Sequence, residues 1–230
     1  ERINFKAMKG QTIGVIGGTG SGKSSLVNLI PRLYDATQGE VLVDGVNVKD
    51  YDIETLRNKV GIVMQKAVLF KGTIRENMWM GKKGATDEQI DEALEISQSK
   101  EFVDSKQGRL DYVIEQGGKN LSGGQRQRLT IARAIVRKPD VLILDDSASA
   151  LDFATDAALR KAIRGMNNSP TVFIVSQRAA SLMYADLIIV LDDGQVAGMG
   201  THDELLANCE VYKEIYESQF KKADSEGGVA

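Results

Sequence analysis

Cys209 is the only cysteine among 230 residues, so no disulfide can form within the chain and a reducing compartment is the natural setting. Basic residues are not in excess. The net charge of −3 and a pI near 5.4 exclude the global positive field that nucleic acid would need, so no nucleic-acid partner is expected. No apolar run approaches the roughly 20 residues that span a bilayer. The start, Glu1-Arg2-Ile3-Asn4-Phe5-Lys6, has no signal-peptide apolar stretch. Internal repeats and low-complexity segments are also missing. The composition, 42% hydrophobic and 27% charged, suits a soluble globular protein with a core. The length suits one large domain, or one with a subdomain. No initiator Met is present and a strong strand begins almost at once, which reads as a fragment of a longer chain.

Gly17-Gly18-Thr19-Gly20-Ser21-Gly22-Lys23-Ser24 fits G-x-x-x-x-G-K-[ST], the phosphate-binding loop. The apolar run Ile13-Gly14-Val15-Ile16 precedes it and the helical pattern of residues 25–30, beginning at Ser25, follows. That is the strand–loop–helix context the motif needs. Glycines let backbone N–H groups converge on phosphate oxygens, and a helix start adds partial positive charge. Lys23 can reach the β- and γ-phosphates, and the Ser24 hydroxyl can ligate Mg²⁺. Nucleotide binding is therefore expected, with residues 17–25 as the binding segment.

Two hairpins are expected around Asp44-Gly45 and Asp193-Gly194, each flanked by apolar residues. Val141-Leu142-Ile143-Leu144 and Val172-Phe173-Ile174-Val175 read as buried parallel strands. Between Gly72 and Lys138 the pattern turns helical. One helix covers 88–96, with Asp87 as its cap. A second runs from Gly123 to Arg137, capped by Ser122 and stopped by Pro139. A last helix is expected around 203–220, followed by a frayed tail over 223–228. His202 stands at a helix start behind the cap Thr201 and reads as structural. Arg126, Arg128, Arg133 and Arg137 are spaced around a helix and read as a solvated face. Trp79, between Met78 and Met80, reads as an interface or core residue.

Two further motifs bear on chemistry. The strand Val141–Leu144 ends in Asp145, which can hold Mg²⁺ through water beside a P-loop. Leu121-Ser122-Gly123-Gly124-Gln125 is a helix start with small residues and a hydroxyl, a second anion-binding geometry. With the P-loop, these motifs resemble the nucleotide-binding domain of ATP-binding cassette (ABC) transporters over essentially the whole chain. Gln65 falls at the Q-loop, Ser149-Ala150-Leu151-Asp152 at the D-loop, and Gln177 at the switch position. The fold implied is α/β: a P-loop (RecA-like) core with an inserted α-helical subdomain, about residues 72–138, and small antiparallel β elements. All of it forms one nucleotide-binding domain over 1–230.

The resemblance implies that two such domains dimerise head-to-tail around two ATP molecules, each with Mg²⁺. Ser24, Gln65 and Asp145 would attend the metal. Ser122, Gly124 and Gln125 would act on the nucleotide bound by the partner, and Asp152 would reach across the dimer. Residues 69–77 after the Q-loop, and Glu115-Gln116-Gly117-Gly118-Lys119-Asn120 before the signature, look like the exporter branch. There Gln65 and Glu115 would meet the transmembrane domain, at the cytoplasmic face of the membrane. Alternatives are a non-hydrolysing ATP-binding regulatory module and a soluble ABC ATPase not coupled to transport.

Three positions depart from the family. Asp146 stands where a Glu usually polarises the attacking water, one methylene shorter. Gln177 stands where a switch His is usual. Phe5 is the only aromatic before Gly17 and reads as core rather than as the adenine-stacking residue. The first two departures together resemble the degenerate subunit of a heterodimeric exporter, whose intact signature completes the partner's site while its own site is slow.

Overall fold

The structure, a computed structural model, describes residues 3–147 and 149–226. In chain order the elements are β1 (Thr12–Gly17), α1 (Lys23–Asn28), β2 (Leu42–Val43), β3 (Val46–Asn47), α2 (Ile53–Lys59), β4 (Val60–Val63) and β5 (Gly72–Thr73). Next come α3 (Ile74–Trp79), α4 (Asp87–Ile96), α5 (Lys100–Asp104), β6 (Val113–Ile114), α6 (Gly123–Ile135), β7 (Val141–Asp145) and α7 (Phe153–Arg164). The chain finishes with β8 (Thr171–Val175), β9 (Leu187–Asp192), β10 (Gln195–Gly200), α8 (His202–Asn208) and α9 (Glu210–Glu226). These elements divide into two compact units.

The first unit joins Glu1–Leu56 to Thr171–Ala230. Its strands lie in the order β10-β9-β1-β8, with β9, β1 and β8 parallel and β10 antiparallel to β9. Every residue of β1 and β8 is buried, which explains why both read as unbroken apolar runs rather than as alternation. Both expected hairpins form. Their turns place Asp44 and Gly45 at φ 51° and 79°, and Asp193 and Gly194 at φ 42° and 75°. Positive φ at both central residues matches the twist of the flanking strands, and Asp-Gly tolerates it best. The single helix expected near 203–220 is two helices, because Cys209 between them is extended (φ −125°, ψ 102°). Residues 223–226 continue α9 rather than fray, while 227 and 228 lie outside the described residues.

The second unit is Arg57–Pro170. It pairs β4 with β7 in parallel and β5 with β6 antiparallel. The helical segment expected over 72–138 lies wholly within it, as α3 to α6 around the small β5–β6 pair. Thr86, not Asp87, caps α4: its hydroxyl accepts from the Gln89 N–H while Gln89 returns the bond, so Asp87 is the first helical residue. Ser122 caps α6 as expected. That helix stops at Ile135, two residues early, because Lys138 turns the chain at φ 55° ahead of Pro139. The first unit is a mixed sheet with covering helices, and the second combines a parallel strand pair, a separate antiparallel pair and helices, the α/β class expected.

Candidate functional site

In the first unit the P-loop leaves the end of β1 and closes onto α1. Gly20 and Gly22 sit at φ 81° and 92°, a left-handed region costly for other residues. At Gly17 the constraint is close approach: a Cβ there would lie 2.1 Å from the Leu191 carbonyl oxygen. The helix start at Gly22 has no side-chain cap, so the first N–H groups of α1 are not covered by a side chain. Lys23 is buried, and its Nζ donates to the carbonyls of Gly17 at 2.8 Å and Gly18 at 2.5 Å, with Ser21 Oγ at 3.4 Å. The cation is thereby fixed inside the loop. Gly18, Thr19, Gly20, Ser24 and Ser25 are exposed around it.

Strand register brings the switch position to the same end. Val15 of β1 pairs with Val175 of β8, so Gly17 and Gln177 each lie two residues further along neighbouring parallel strands. Ligands of open parallel sheets gather at this carboxyl end. Ser176 is buried; its N–H donates to the Val15 carbonyl at 3.1 Å and its hydroxyl accepts from the Arg178 N–H at 2.9 Å. Gln177 itself is exposed.

The second unit repeats this logic. Val63 of β4 pairs with Leu144 of β7, so Gln65 and Asp146 emerge side by side. Gln65 Nε2 donates to Asp146 Oδ2 at 3.2 Å, leaving its Oε1 as an acceptor. Asp146 sits at φ 46°, a conformation that Asp and Asn enter more readily than Glu. Asp145 is buried at the strand end. Within this unit the Gln65 amide oxygen and the Asp145 carboxylate are hard oxygen donors of the kind Mg²⁺ takes, and in the first unit the Ser24 hydroxyl is another. Among the described residues no group of three or more His, Cys, Asp or Glu is arranged to hold a metal.

The signature residues open α6. Ser122 Oγ accepts from the Gln125 N–H at 3.2 Å, and Gln125 Oε1 accepts from the Ser122 N–H at 3.1 Å. Ser122 is exposed, and Gly124 packs so that a Cβ would lie 3.3 Å from the Ala150 carbonyl. Asp152 caps α7, accepting the Thr155 N–H at 2.8 Å. Ala148, just before the D-loop stretch, lies outside the described residues. Asn120 closes the loop that carries Glu115: its Oδ1 accepts the Glu115 N–H at 3.0 Å and its Nδ2 donates to the Val113 carbonyl at 2.9 Å.

The arginine row on α6 is not a solvated face. Arg126 donates to the carbonyl of Leu121 at 2.6 Å, Arg128 to that of Gln98 at 2.7 Å, Arg133 to that of Val68 at 2.9 Å, and Arg137 to that of Arg57 at 2.7 Å. Arg133 also lies over the Phe70 ring, 5.9 Å from its centroid, and burial lowers the pKa of Arg133 and Arg137. Arg126, Arg128 and Arg133 tie the signature helix to the segments after Gln65 and before Ser122, and Arg137 ties the turn beyond it to α2. The spacing i, i+7 of Arg126 and Arg133 places both on one face of α6, a signal of a common seam, while Arg137 lies in the turn just beyond the helix. Asn77 is a second member the motifs did not reveal. Fully buried, it binds both the N–H and the carbonyl of Phe70. Its neighbours Trp79 and Met80, with Met64, Val68, Phe70 and Val113, are exposed apolar residues of the same unit. Trp79, 40% exposed, donates its indole N–H to the Ala85 carbonyl. His202 is structural as expected: its Nδ1 lies 2.8 Å from the Tyr212 hydroxyl. Phe5 packs edge-on against Phe173.

Residues 1–149 match the ABC transporter family, and the chain belongs to it. It is an ATP-binding domain of that family, an ATPase. YfiB of Bacillus subtilis, an uncharacterized ABC transporter ATP-binding protein, is 45% identical over 224 residues, which cover 97% of this chain and 39% of YfiB. A Staphylococcus aureus protein bearing the name "Putative multidrug export ATP-binding/permease protein" is 40% identical over 217 residues, covering 94% of this chain and 38% of its own length. A solved bacterial Atm1-family ABC exporter with ATP bound superimposes with a TM-score of 0.88 at 32% identity, over 94% of this chain and 38% of that one. The chain thus spans about two fifths of the length of these relatives. Among the described residues no helix is long and apolar enough to cross a membrane.

Proposed function

We propose that this domain powers export through a membrane ABC transporter, at its cytoplasmic face, by ATP-driven head-to-tail pairing with a second ATP-binding domain. Its own site is catalytically impaired, and its signature completes the partner's site. The observation that carries the proposal is the pair of strand ends: an intact P-loop cradle around Lys23, and a Gln65–Asp146 contact in which the carboxylate is one methylene short of the usual base. The cassette is one domain over 1–230, with residues about 72–138 as its helical subdomain.

Lys23 holds a positive charge inside the loop, at the uncapped start of α1, which suits the β- and γ-phosphates. Ser24, Gln65 and Asp145 would hold Mg²⁺, which when bound neutralises charge on the phosphate oxygens. Asp146 would accept a proton from water, with Gln65 orienting its carboxylate through the 3.2 Å hydrogen bond between them. General-base help of about 10²–10⁴-fold depends on reach within a hydrogen bond, which the shorter side chain reduces. Gln177 can donate to a γ-phosphate oxygen but offers no ionisable ring. In trans, Ser122, Gly124 and the α6 start present a neutral, small, N–H-rich surface to the nucleotide on the partner. A transmembrane partner is supported by the exposed apolar residues Met64, Val68, Phe70, Trp79 and Val113, together with Glu115 on the neighbouring loop.

Calorimetric titration with ATP tests the binding half of the proposal. Lys23→Ala is expected to weaken ATP binding at least tenfold. Unchanged affinity would show that the P-loop is not the binding site.

A further inference from the structure

The switch loop is gripped by a residue that no motif marks. Gln219 lies on α9, and its single side-chain amide makes two bonds to the loop. Nε2 donates to the Gln177 carbonyl at 2.7 Å, and Oε1 accepts from the Ala179 N–H at 2.9 Å. The amide thus mimics a neighbouring strand, spanning the carbonyl on one side of Arg178 and the N–H on the other. Ala179 is fully buried and begins a short 3-10 turn, Ala179–Ser181, against which α9 packs.

The other end of α9 is anchored. Tyr212 is fully buried and its hydroxyl bonds His202 at the start of α8. Tyr216 packs its ring on His202. Tyr212, Tyr216 and Gln219 follow the i, i+4, i+7 spacing of one helix face. The face that fastens α9 to α8 therefore delivers Gln219 to the switch two turns later.

We propose that Gln219 is a positioning residue for the switch: by holding the backbone on both sides of Arg178 it fixes where Gln177 points, and so couples the placement of α9 to the rate at this domain's own ATP site. This rests on Gln177 being the switch residue of an ATP site. Gln177 is exposed and its side chain makes no hydrogen bond among the described residues, so its aim is set by its backbone.

The test measures single-turnover ATP hydrolysis at this domain's site in the assembled transporter, the partner domain's catalytic base removed, alongside ATP affinity by fluorescence titration. Gln219→Ala is expected to slow hydrolysis about fivefold while ATP affinity changes less than twofold. In a Gln177→Ala background the same change should do nothing further, because the residue it positions is gone. Gln219→Glu keeps the acceptor for Ala179 but sets an oxygen against the Gln177 carbonyl, so it should be slowed as well; it serves if the alanine variant fails to fold. A normal rate in both Gln219 variants, or a Gln219→Ala effect that persists undiminished without the Gln177 side chain, overturns the inference. If Gln177→Ala alone leaves the rate unchanged, the switch assignment itself fails, a separate result.

Discussion

Ser122→Asp separates the two jobs of the signature serine. In the structure Ser122 caps α6 through a reciprocal pair of bonds with Gln125, 3.2 and 3.1 Å. Loss of that cap in Ser122→Ala should cost about 1 kcal/mol. For a chain of this size that lowers the melting temperature by about 2–4 °C. Aspartate caps as well as serine, and the first turn of α6 carries no acidic residue to complement the helix dipole. Ser122→Asp should therefore melt within about 1 °C of the parent or above it. Its effect on the partner's nucleotide is opposite in sign. A carboxylate about 4 Å from a phosphate charge costs about 4 kcal/mol per charge pair at an effective dielectric of 20, about 10³-fold. The assays are thermal denaturation of the chain and ATP turnover of the assembled transporter. A stable Ser122→Asp protein with parental turnover would refute the trans role, since the substitution preserves the fold and alters only the charge presented.

Arg133→Ala removes both the bond to the Val68 carbonyl and the cover over Phe70. It should destabilise the chain by about 1–2 kcal/mol in urea unfolding and weaken stimulation of ATP turnover by transport substrate; Arg133→Lys should not restore either, as it lacks the planar fork. Asp152 has its pKa lowered, first by the Thr155 backbone N–H and then by the Thr155 hydroxyl. Its folded value lies below the unfolded one, so its contribution is present above the unfolded carboxyl value near 4 and is lost as pH falls through the folded value. Asp152→Asn, an equally good cap, should show a flatter loss of stability in acid unfolding titrations below pH about 4; an identical acid profile would contradict the capping role.

Much of the fold was legible because its signals are local. The P-loop, the two Asp-Gly hairpins and the Ser122 cap each depend on a few adjacent residues whose backbone needs are specific. The strands β7 and β8 were legible because burial on both faces removes alternation. Boundaries were less so. Thr86 against Asp87 is a choice between two good cappers that only the Gln89 bond decides, and Cys209 breaks a helical pattern that periodicity alone would carry through. The arginines of α6 were misread because charge suggests water, whereas guanidinium groups also satisfy loop carbonyls in a buried seam. Asn77 and Asn120 close irregular loops onto backbone groups five to seven residues back, where no periodicity marks the partner, and Gln219 bonds backbone groups about 40 residues away, a relation that spacing does not encode.

On the proposed function, this domain's own site is slow because of Asp146 and Gln177. The direct measurement is single-turnover hydrolysis at that site, with the partner's base removed and its signature intact, for the parent and for Asp146→Glu combined with Gln177→His. Asp146 sits at φ 46°, so Glu there should cost about 1 kcal/mol of stability, and the rates are compared well below the melting temperature. A slow parent is expected, with a gain of about tenfold or more in the double variant, larger than the product of the single changes. A parent site already as fast as the unblocked partner site, or no gain in the double variant, would contradict it.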